Sequence, residues 1–79
     1  MNKPLWTAEQ IQEELQNQIN EIEDIIRDDA EIFIPLPTIQ TEDDFGVNWN
    51  IVSIPSVNYI SEIRHIIDQL RFQVKLREK

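Results

Sequence analysis

The chain has no cysteine and a single glycine, and these shortages narrow the classes of protein it can belong to. Without cysteine there is neither a disulfide nor a thiolate metal site, which argues against a stapled secreted mini-protein and suits a reducing cytosol. With Gly46 alone there is no glycine-rich phosphate loop. No apolar run approaches the ~18 residues of a membrane-spanning helix, and the start has no apolar run of signal-peptide length. We therefore expect a soluble, cytoplasmic protein.

Basic residues are also scarce, and the charges are unevenly distributed along the chain. Seven lysines and arginines oppose fifteen acidic residues, for a net charge of −8. Up to Ile63 the chain carries a net charge of −11, whereas from Arg64 onward it carries +3. Nucleic acids and anionic lipids share the sign of this acidic body, so we predict no direct nucleic-acid or membrane partner. A protein with a basic surface is favoured; the simpler alternative is that the charge only maintains solubility.

What the chain has in abundance is isoleucine, and this β-branched bulk argues against disorder. Its 79 residues are expected to form one small domain, residues 1–79, that buries roughly 60% of its unfolded surface. Residues 1–5 and 77–79 are expected to be frayed.

A first amphipathic helix is predicted to begin after Thr7 and to run to about Asp28 or Asp29. Thr7 and Gln10 fit a capping box, and Trp6 precedes it as one half of a hydrophobic staple. Apolar residues then recur at three- or four-residue spacing and form one stripe. The stripe consists of Ile11, Leu15, Ile19, Ile22 and Ile26.

Two strands of an antiparallel hairpin are predicted to follow. Apolar side chains alternate over residues 31–39, where two prolines indicate a sheet edge. A polar turn comes next, with Gly46 as its residue of positive φ. The second strand is predicted over 47–54, and Pro55 ends it.

A second amphipathic helix is predicted from a cap at Ser56 or Asn58 to about Lys75. Residues 70–76 also alternate with a period of two, so a short third strand at the C-terminus is the alternative to helix there. The apolar stripe of this helix consists of Ile60, Ile63, Ile67, Leu70 and Val74.

The predicted fold is α+β in the order α-β-β-α, with two long amphipathic helices packed on a two-stranded antiparallel β-hairpin. A hairpin alone is marginal in water and needs the helices to cover one face. The predicted core consists of Trp6, Ile11, Leu15, Ile19, Ile22, Ile26, Ile32, Ile34, Trp49, Ile51, Ile60, Ile63, Ile67 and Leu70.

Eight carboxylates form the predicted partner-binding set, at the end of the first helix and at the hairpin tip. Carboxylates spaced along a rigid surface can imitate a row of phosphates and occupy a nucleic-acid channel on another protein. Aspartates in a last helical turn also oppose the helix dipole, and such broken local rules sometimes mark function. The set is Glu23, Asp24, Asp28, Asp29, Glu31, Glu42, Asp43 and Asp44.

A second set on the C-terminal helix is a candidate for self-association. The favoured interpretation of its basic residues is that they complement the helix dipole and aid solubility; the alternative is that they dock on an acidic partner or on the acidic face of another copy. The apolar members lie off the main stripe and would form a patch that a monomer leaves uncovered. The set is Arg64, Arg71, Phe72, Lys75 and Leu76.

Motifs for metal binding or catalysis are weak. The acidic run before Gly46 is followed by Val47 and Trp49 instead of the oxygen ligands of a Ca²⁺ loop. Glu62 and His65 have the Glu-x-x-His spacing of di-iron bundles, but the pair occurs once and the chain has no other histidine. Its serines lack a nucleophile elbow. We predict no cofactor, no metal and no enzymatic activity.

In size, acidity and lack of catalytic groups, the chain resembles small phage or mobile-element inhibitors, including anti-CRISPR proteins. This resemblance is one of composition and carries no residues over. It implies a non-enzymatic inhibitor that blocks a basic nucleic-acid-binding surface of a host protein. The alternative function is that of a structural or adaptor subunit that acts through an apolar dimer or assembly interface.

Overall fold

Three helices and two small sheets form an α+β domain in the computed structural model, which describes residues 3–54 and 58–77. The order of elements is β1 (Leu5–Trp6), α1 (Ala8–Asn20), α2 (Glu23–Arg27), β2 (Thr38–Ile39), β3 (Trp49–Asn50), α3 (Ile60–Gln73) and β4 (Lys75–Leu76).

Helix α1 begins at the predicted capping box. The Gln10 backbone N–H donates to Thr7 Oγ1 at 3.1 Å, and the Thr7 N–H donates to Gln10 Oε1 at 2.8 Å. These two bonds satisfy backbone donors that a helix start would otherwise leave unpaired. Trp6, which precedes the cap, is partly buried and packs against the core cluster, of which Ile11, the predicted other half of the staple, is a member.

The first helix ends eight or nine residues earlier than predicted, because Ile22 adopts an extended conformation (φ −66°, ψ 123°) and separates α1 from α2. The break places Glu23 and Asp24 in the first turn of α2, where the helix dipole favours carboxylates. It also turns the apolar stripe, so that Ile25 is buried and the predicted core residue Ile26 is 62% exposed.

Helix α2 ends in a Schellman motif. The Asp29 N–H donates to Ile26 O and the Ala30 N–H donates to Ile25 O, both at 3.1 Å. Asp29 has a φ of 53°, in the left-handed region that favours glycine. The motif reverses the chain and returns it along α1.

Residues 31–37, which were predicted to form most of the first strand, are extended but are bound by glutamines of α1. Gln16 Nε2 donates to Ile32 O at 2.6 Å, while Gln16 Oε1 accepts the Ile34 N–H at 2.9 Å. Gln12 Nε2 donates to Ile34 O at 2.9 Å. Side-chain amides therefore replace a neighbouring strand here, and regular pairing starts only at Thr38.

The hairpin is antiparallel as predicted, with Thr38 opposite Asn50 and Ile39 opposite Trp49, but its strands are two residues long. Gly46 has a φ of 77°, which confirms its turn role. The predicted strand end at Pro55 lies outside the described residues.

Helix α3 follows Tyr59, whose side chain makes no capping hydrogen bond. Asn58 therefore does not occupy the N-cap position, and the other predicted cap, Ser56, lies outside the described residues. The helix ends at Gln73, and the alternative of a short C-terminal strand is found in β4.

Strand β4 pairs in parallel with β1, which the sequence did not predict as a strand. Leu5 lies opposite Lys75 and Trp6 opposite Leu76. Leu5, expected in a frayed end, thus belongs to a sheet at the described part of the N-terminus.

The core forms where α1, α3 and the hairpin meet, and most of its predicted members are buried. Ile60 is exposed because it is the first residue of α3, at the edge of the packed face. Asn48 crosses the interior: its side-chain amide donates to Leu76 O and accepts the Leu76 N–H, both at 2.9 Å. The buried apolar residues that the predicted core did not include are Ile25, Val47, Val74 and Leu76.

Candidate functional site

The eight predicted carboxylates lie in two groups, which we name by their place in the fold. The acidic helix end surrounds α2, and the acidic turn connects β2 to β3. The members are exposed, apart from the half-buried Asp24. The acidic helix end is Glu23, Asp24, Asp28, Asp29 and Glu31; the acidic turn is Glu42, Asp43 and Asp44.

One arginine partly neutralises the acidic helix end. Arg27 Nη2 lies 2.8 Å from Asp24 Oδ1, and its Nε lies 3.8 Å from Asp28 Oδ1. These ion pairs are solvent-exposed and contribute little to stability. Residues 21–31 contain six acidic residues and this one cation, so the segment retains a net charge of −5.

Three carboxylates of the acidic helix end have no cation within 4.0 Å in the part of the chain that the structure describes: Glu23, Asp29 and Glu31. Their charge faces solvent. The site thus consists of the short helix α2 and the chain reversal that follows it. The Schellman motif fixes the backbone there, and these three side chains carry negative charge that no cation among the described residues neutralises.

Tyr59 connects the acidic helix end to the start of α3. Its phenol donates a hydrogen bond of 2.6 Å to Asp28 Oδ2. This bond to a carboxylate raises the pKa of Tyr59, since the carboxylate favours the protonated phenol; burial and the negative charge of Asp28 act in the same direction. The bond holds α2 against the rest of the domain.

The acidic turn is used mainly for structure. Asp43 Oδ1 accepts the backbone N–H groups of Val47 and Phe45, at 3.0 and 2.9 Å, and these bonds hold the pKa of Asp43 below its usual value. Glu42 forms a 2.6 Å ion pair with Lys75. The carboxylates of Asp43 and Glu42 thus have structural contacts, whereas Asp44 makes no such contact with the residues that the structure describes.

Most side chains of the self-association set already make contacts within the same molecule. Arg71 Nε donates to Trp49 O at 2.9 Å and its Nη1 lies 3.6 Å from Asp68, while Arg64 Nη1 lies 3.4 Å from Asn50 Oδ1. Both arginines thus connect α3 to β3.

Leu76 is 7% exposed, so the exposure expected for it is not found. Strand β4 alternates its side chains, and pairing with β1 turns Leu76 towards the core. Phe72 remains on the surface at 56% exposure.

Phe72 belongs to an exposed aromatic pair, whose other member, Phe45, was not predicted from the sequence. Phe45, 70% exposed, meets Phe72 edge-to-face with ring centroids 5.9 Å apart. Lys3 Nζ lies 5.7 Å from the centre of the Phe72 ring and donates to Phe45 O at 2.6 Å. We call Lys3, Phe45 and Phe72 the aromatic surface. A large apolar residue beside the turn glycine was the signal that could have found it.

Groups that could serve metal binding or catalysis are dispersed in the described residues. Glu62 and His65 both lie exposed on α3, and no group of three or more His, Asp or Glu residues within 3–54 and 58–77 is placed to hold a metal ion. An open depression of about 200 Å³ beside α1 is lined by Trp6, Gln10, Glu13, Glu14 and Asn17.

Comparison with protein families, with curated proteins and with solved structures finds no match. No helix in the described residues has the length and apolar character needed to cross a bilayer.

Proposed function

We propose that the chain is a non-enzymatic, cytoplasmic inhibitor that binds a basic nucleic-acid-binding surface of a host protein through its acidic residues. It would act as small phage or mobile-element inhibitors of the anti-CRISPR kind do. The observation that carries the proposal is the acidic helix end, where residues 21–31 keep a net charge of −5. Such a surface attracts cationic grooves and steers association over a distance of about a Debye length.

The shape of the acidic helix end supports recognition beyond general charge. Its carboxylates project from a helix and from a hydrogen-bonded reversal, so less conformational entropy is lost when they meet a partner than in a flexible tail. Ile26 is exposed among them and offers an apolar contact at the centre of the charged group. Tight interfaces commonly combine an apolar anchor with a charged rim.

The direct test is capture from a host lysate by the immobilised protein, with and without excess double-stranded DNA. We expect a nucleic-acid-binding protein to be captured, to be displaced by the DNA, and to bind at least tenfold more weakly when salt rises from about 50 to about 500 mM, because exposed charges are then screened. An affinity for the captured protein that does not change with salt would contradict the electrostatic proposal.

A charge-removal variant locates the surface. The triple change Glu23→Gln, Asp29→Asn and Glu31→Gln removes three unpaired charges and is expected to weaken binding of the captured protein by about tenfold or more.

The matched control removes three exposed charges elsewhere, through Glu9→Gln, Glu13→Gln and Glu62→Gln. It has the same net charge as the first variant, −5. Equal losses in the two variants would show that only net charge matters, and that the acidic helix end is not the binding surface.

A further inference from the structure

The aromatic surface is a fixed feature of the fold, assembled from three parts of the chain. Lys3 comes from the N-terminal segment, Phe45 from the turn between β2 and β3, and Phe72 from the last turn of α3. The hydrogen bond from Lys3 to the Phe45 carbonyl and the edge-to-face contact of the rings join all three. Both rings nevertheless stay more than half exposed.

The conformation of the turn keeps the Phe45 side chain exposed to solvent. Asp43 accepts two backbone N–H groups of the turn, and Gly46 supplies the positive φ that closes it. Phe72 follows Arg71, whose guanidinium is bonded to Trp49 O and so fixes this end of α3. Two large apolar rings held in solvent are unfavourable for an isolated chain, and such surfaces commonly mark contacts.

The charges around this surface indicate which partner covers it. Basic groups lie at its edge: Lys3 contacts both phenylalanines, Lys75 pairs with Glu42, and the positive charge of Arg71 acts on Asp43. With the nearby acids the local charge is close to balanced, whereas the remaining residues carry −7 of the total of −8. The charged groups counted at the surface are Lys3, Arg71, Lys75, Glu42, Asp43, Asp44 and Asp68.

We propose that the aromatic surface is the contact between two copies of this chain. Two such acidic molecules repel each other through their acidic regions, and this face, with a net charge of −1, repels a second copy less than the acidic helix end does, where residues 21–31 carry −5. A two-fold dimer needs a patch that complements itself, and adjacent cations and carboxylates around an apolar centre provide one.

The dimer is expected to be weak. Complete burial of two phenylalanines contributes on the order of 150–250 Å² each, whereas a standard interface removes about 800 Å² per partner. Screening of the repelling bodies should strengthen it, so self-association should increase with salt. This is opposite to the salt dependence proposed for the inhibitory contact, and the failure of either proposal is therefore recognisable without the other.

Sedimentation equilibrium of the full chain, from about 10 μM to about 1 mM and in about 20 and 500 mM NaCl, tests the proposal. We expect the average mass to rise towards that of a dimer with concentration, and to rise further at the higher salt. A chain that stays monomeric at the highest concentration in both salts would overturn it.

Substitution of the rings locates the contact. Phe45→Ser and Phe72→Ser are each expected to raise the dimer Kd about tenfold or more. Phe33→Ser is the matched control, because Phe33 is 72% exposed at a different site and its loss should leave the Kd unchanged. An equal effect of Phe33→Ser would overturn the assignment.

A measurement on the unmodified chain covers the case in which a ring variant unfolds. Backbone amide chemical shifts should change with protein concentration at Phe45, Gly46 and Phe72 and stay constant at Phe33. Concentration-dependent shifts confined to other residues would contradict the proposal.

Discussion

At the scale of single residues, polar side chains inside the domain take the place of backbone partners. Asn48 forms with Leu76 the pair of hydrogen bonds that a neighbouring strand would form, and the Trp49 indole N–H donates to Val74 O at 3.0 Å. Gln16 does the same for the segment that follows α2. Strands of two residues therefore suffice, because side chains complete their pairing.

Replacement of Asn48 tests this role. Asn48→Ala would leave the buried Leu76 N–H and C=O without partners, and each unpaired group costs about 1–3 kcal/mol. We expect the free energy of unfolding to fall by roughly 2–4 kcal/mol in urea titrations. Asn17→Ala, on the exposed face of α1, is the control and should be neutral or slightly stabilising. A loss no larger than that of the control would show that the two bonds are replaced by water.

Tyr59 gives a prediction in alkaline solution. Its pKa is raised above the ordinary 10.0, chiefly by the hydrogen bond to Asp28. A group whose pKa is raised on folding stabilises the fold below its unfolded pKa, and this stabilisation is lost as the pH rises through the folded pKa. The chain should thus lose stability above about pH 10, and Tyr59→Phe should lose less over the same range.

Since the chain has one tyrosine, the absorbance change of its phenol reports this pKa directly. Asp28→Ala should bring the pKa down towards 10.0. A wild-type phenol that titrates at or below the ordinary value would contradict the contact.

At the scale of elements, the sequence correctly predicted the features that depend on a few neighbouring residues. The capping box at Thr7 and the turn at Gly46 each depend on a few adjacent residues, and both are found. The break at Ile22 was not predicted, because the apolar spacing continues through it; the broken form places Ile25 in the core and leaves Ile26 exposed. The pairing of β1 with β4 joins residues seventy positions apart, which no local pattern reveals.

The contribution of the hydrogen bonds between α1 and residues 31–37 can be tested with Gln16→Glu, which replaces the side-chain amide nitrogen by an oxygen. In Gln16→Glu the carboxylate still accepts the Ile34 N–H, but it has no donor for Ile32 O and repels that carbonyl. We expect a loss of about 1–3 kcal/mol at neutral pH. The repulsion raises the pKa of Glu at this position above its ordinary value of about 4.3, so the loss relative to wild type should shrink as the pH falls from neutral towards about 4, because protonation restores the donor over this range.

Gln10→Glu is the matched control for this change. Within the described residues, Gln10 uses only its Oε1, which accepts the Thr7 N–H in the capping box, and a carboxylate does the same at a favourable place in the helix dipole. It should leave stability unchanged or slightly higher. Equal losses for the two variants would mean that Gln16 contributes charge neutrality rather than a donor.

At the scale of the whole molecule, the few cations serve as internal connections and leave most of the carboxylates to the solvent. Five of the six lysine and arginine side chains that the structure describes contact the chain itself. Lys3 joins the N-terminal segment to the turn, and Lys75 joins β4 to Glu42. The net charge of −8 is thus not spread evenly, and its largest uncompensated part lies at the acidic helix end.

Asp29 places stability and the proposed function in opposition. It occupies a left-handed position that favours glycine, and its charge opposes the C-terminal dipole of α2. Asp29→Gly should therefore raise the free energy of unfolding by about 0.5–1 kcal/mol, measured by urea titration. Asp29→Asn, which tolerates the same φ, should stabilise by a smaller amount through the charge alone.

Measurement of binding to the captured partner then shows whether the Asp29 carboxylate takes part in the interface. If the carboxylate contacts a basic surface, both variants should be more stable than the wild type and yet bind the partner more weakly. Gain of stability with unchanged binding would mean that Asp29 has no part in the interface. A loss of stability in Asp29→Asn as well as in Asp29→Gly would show instead that the carboxylate supports the reversal, because Asn does not add the unfolded-chain entropy that glycine adds.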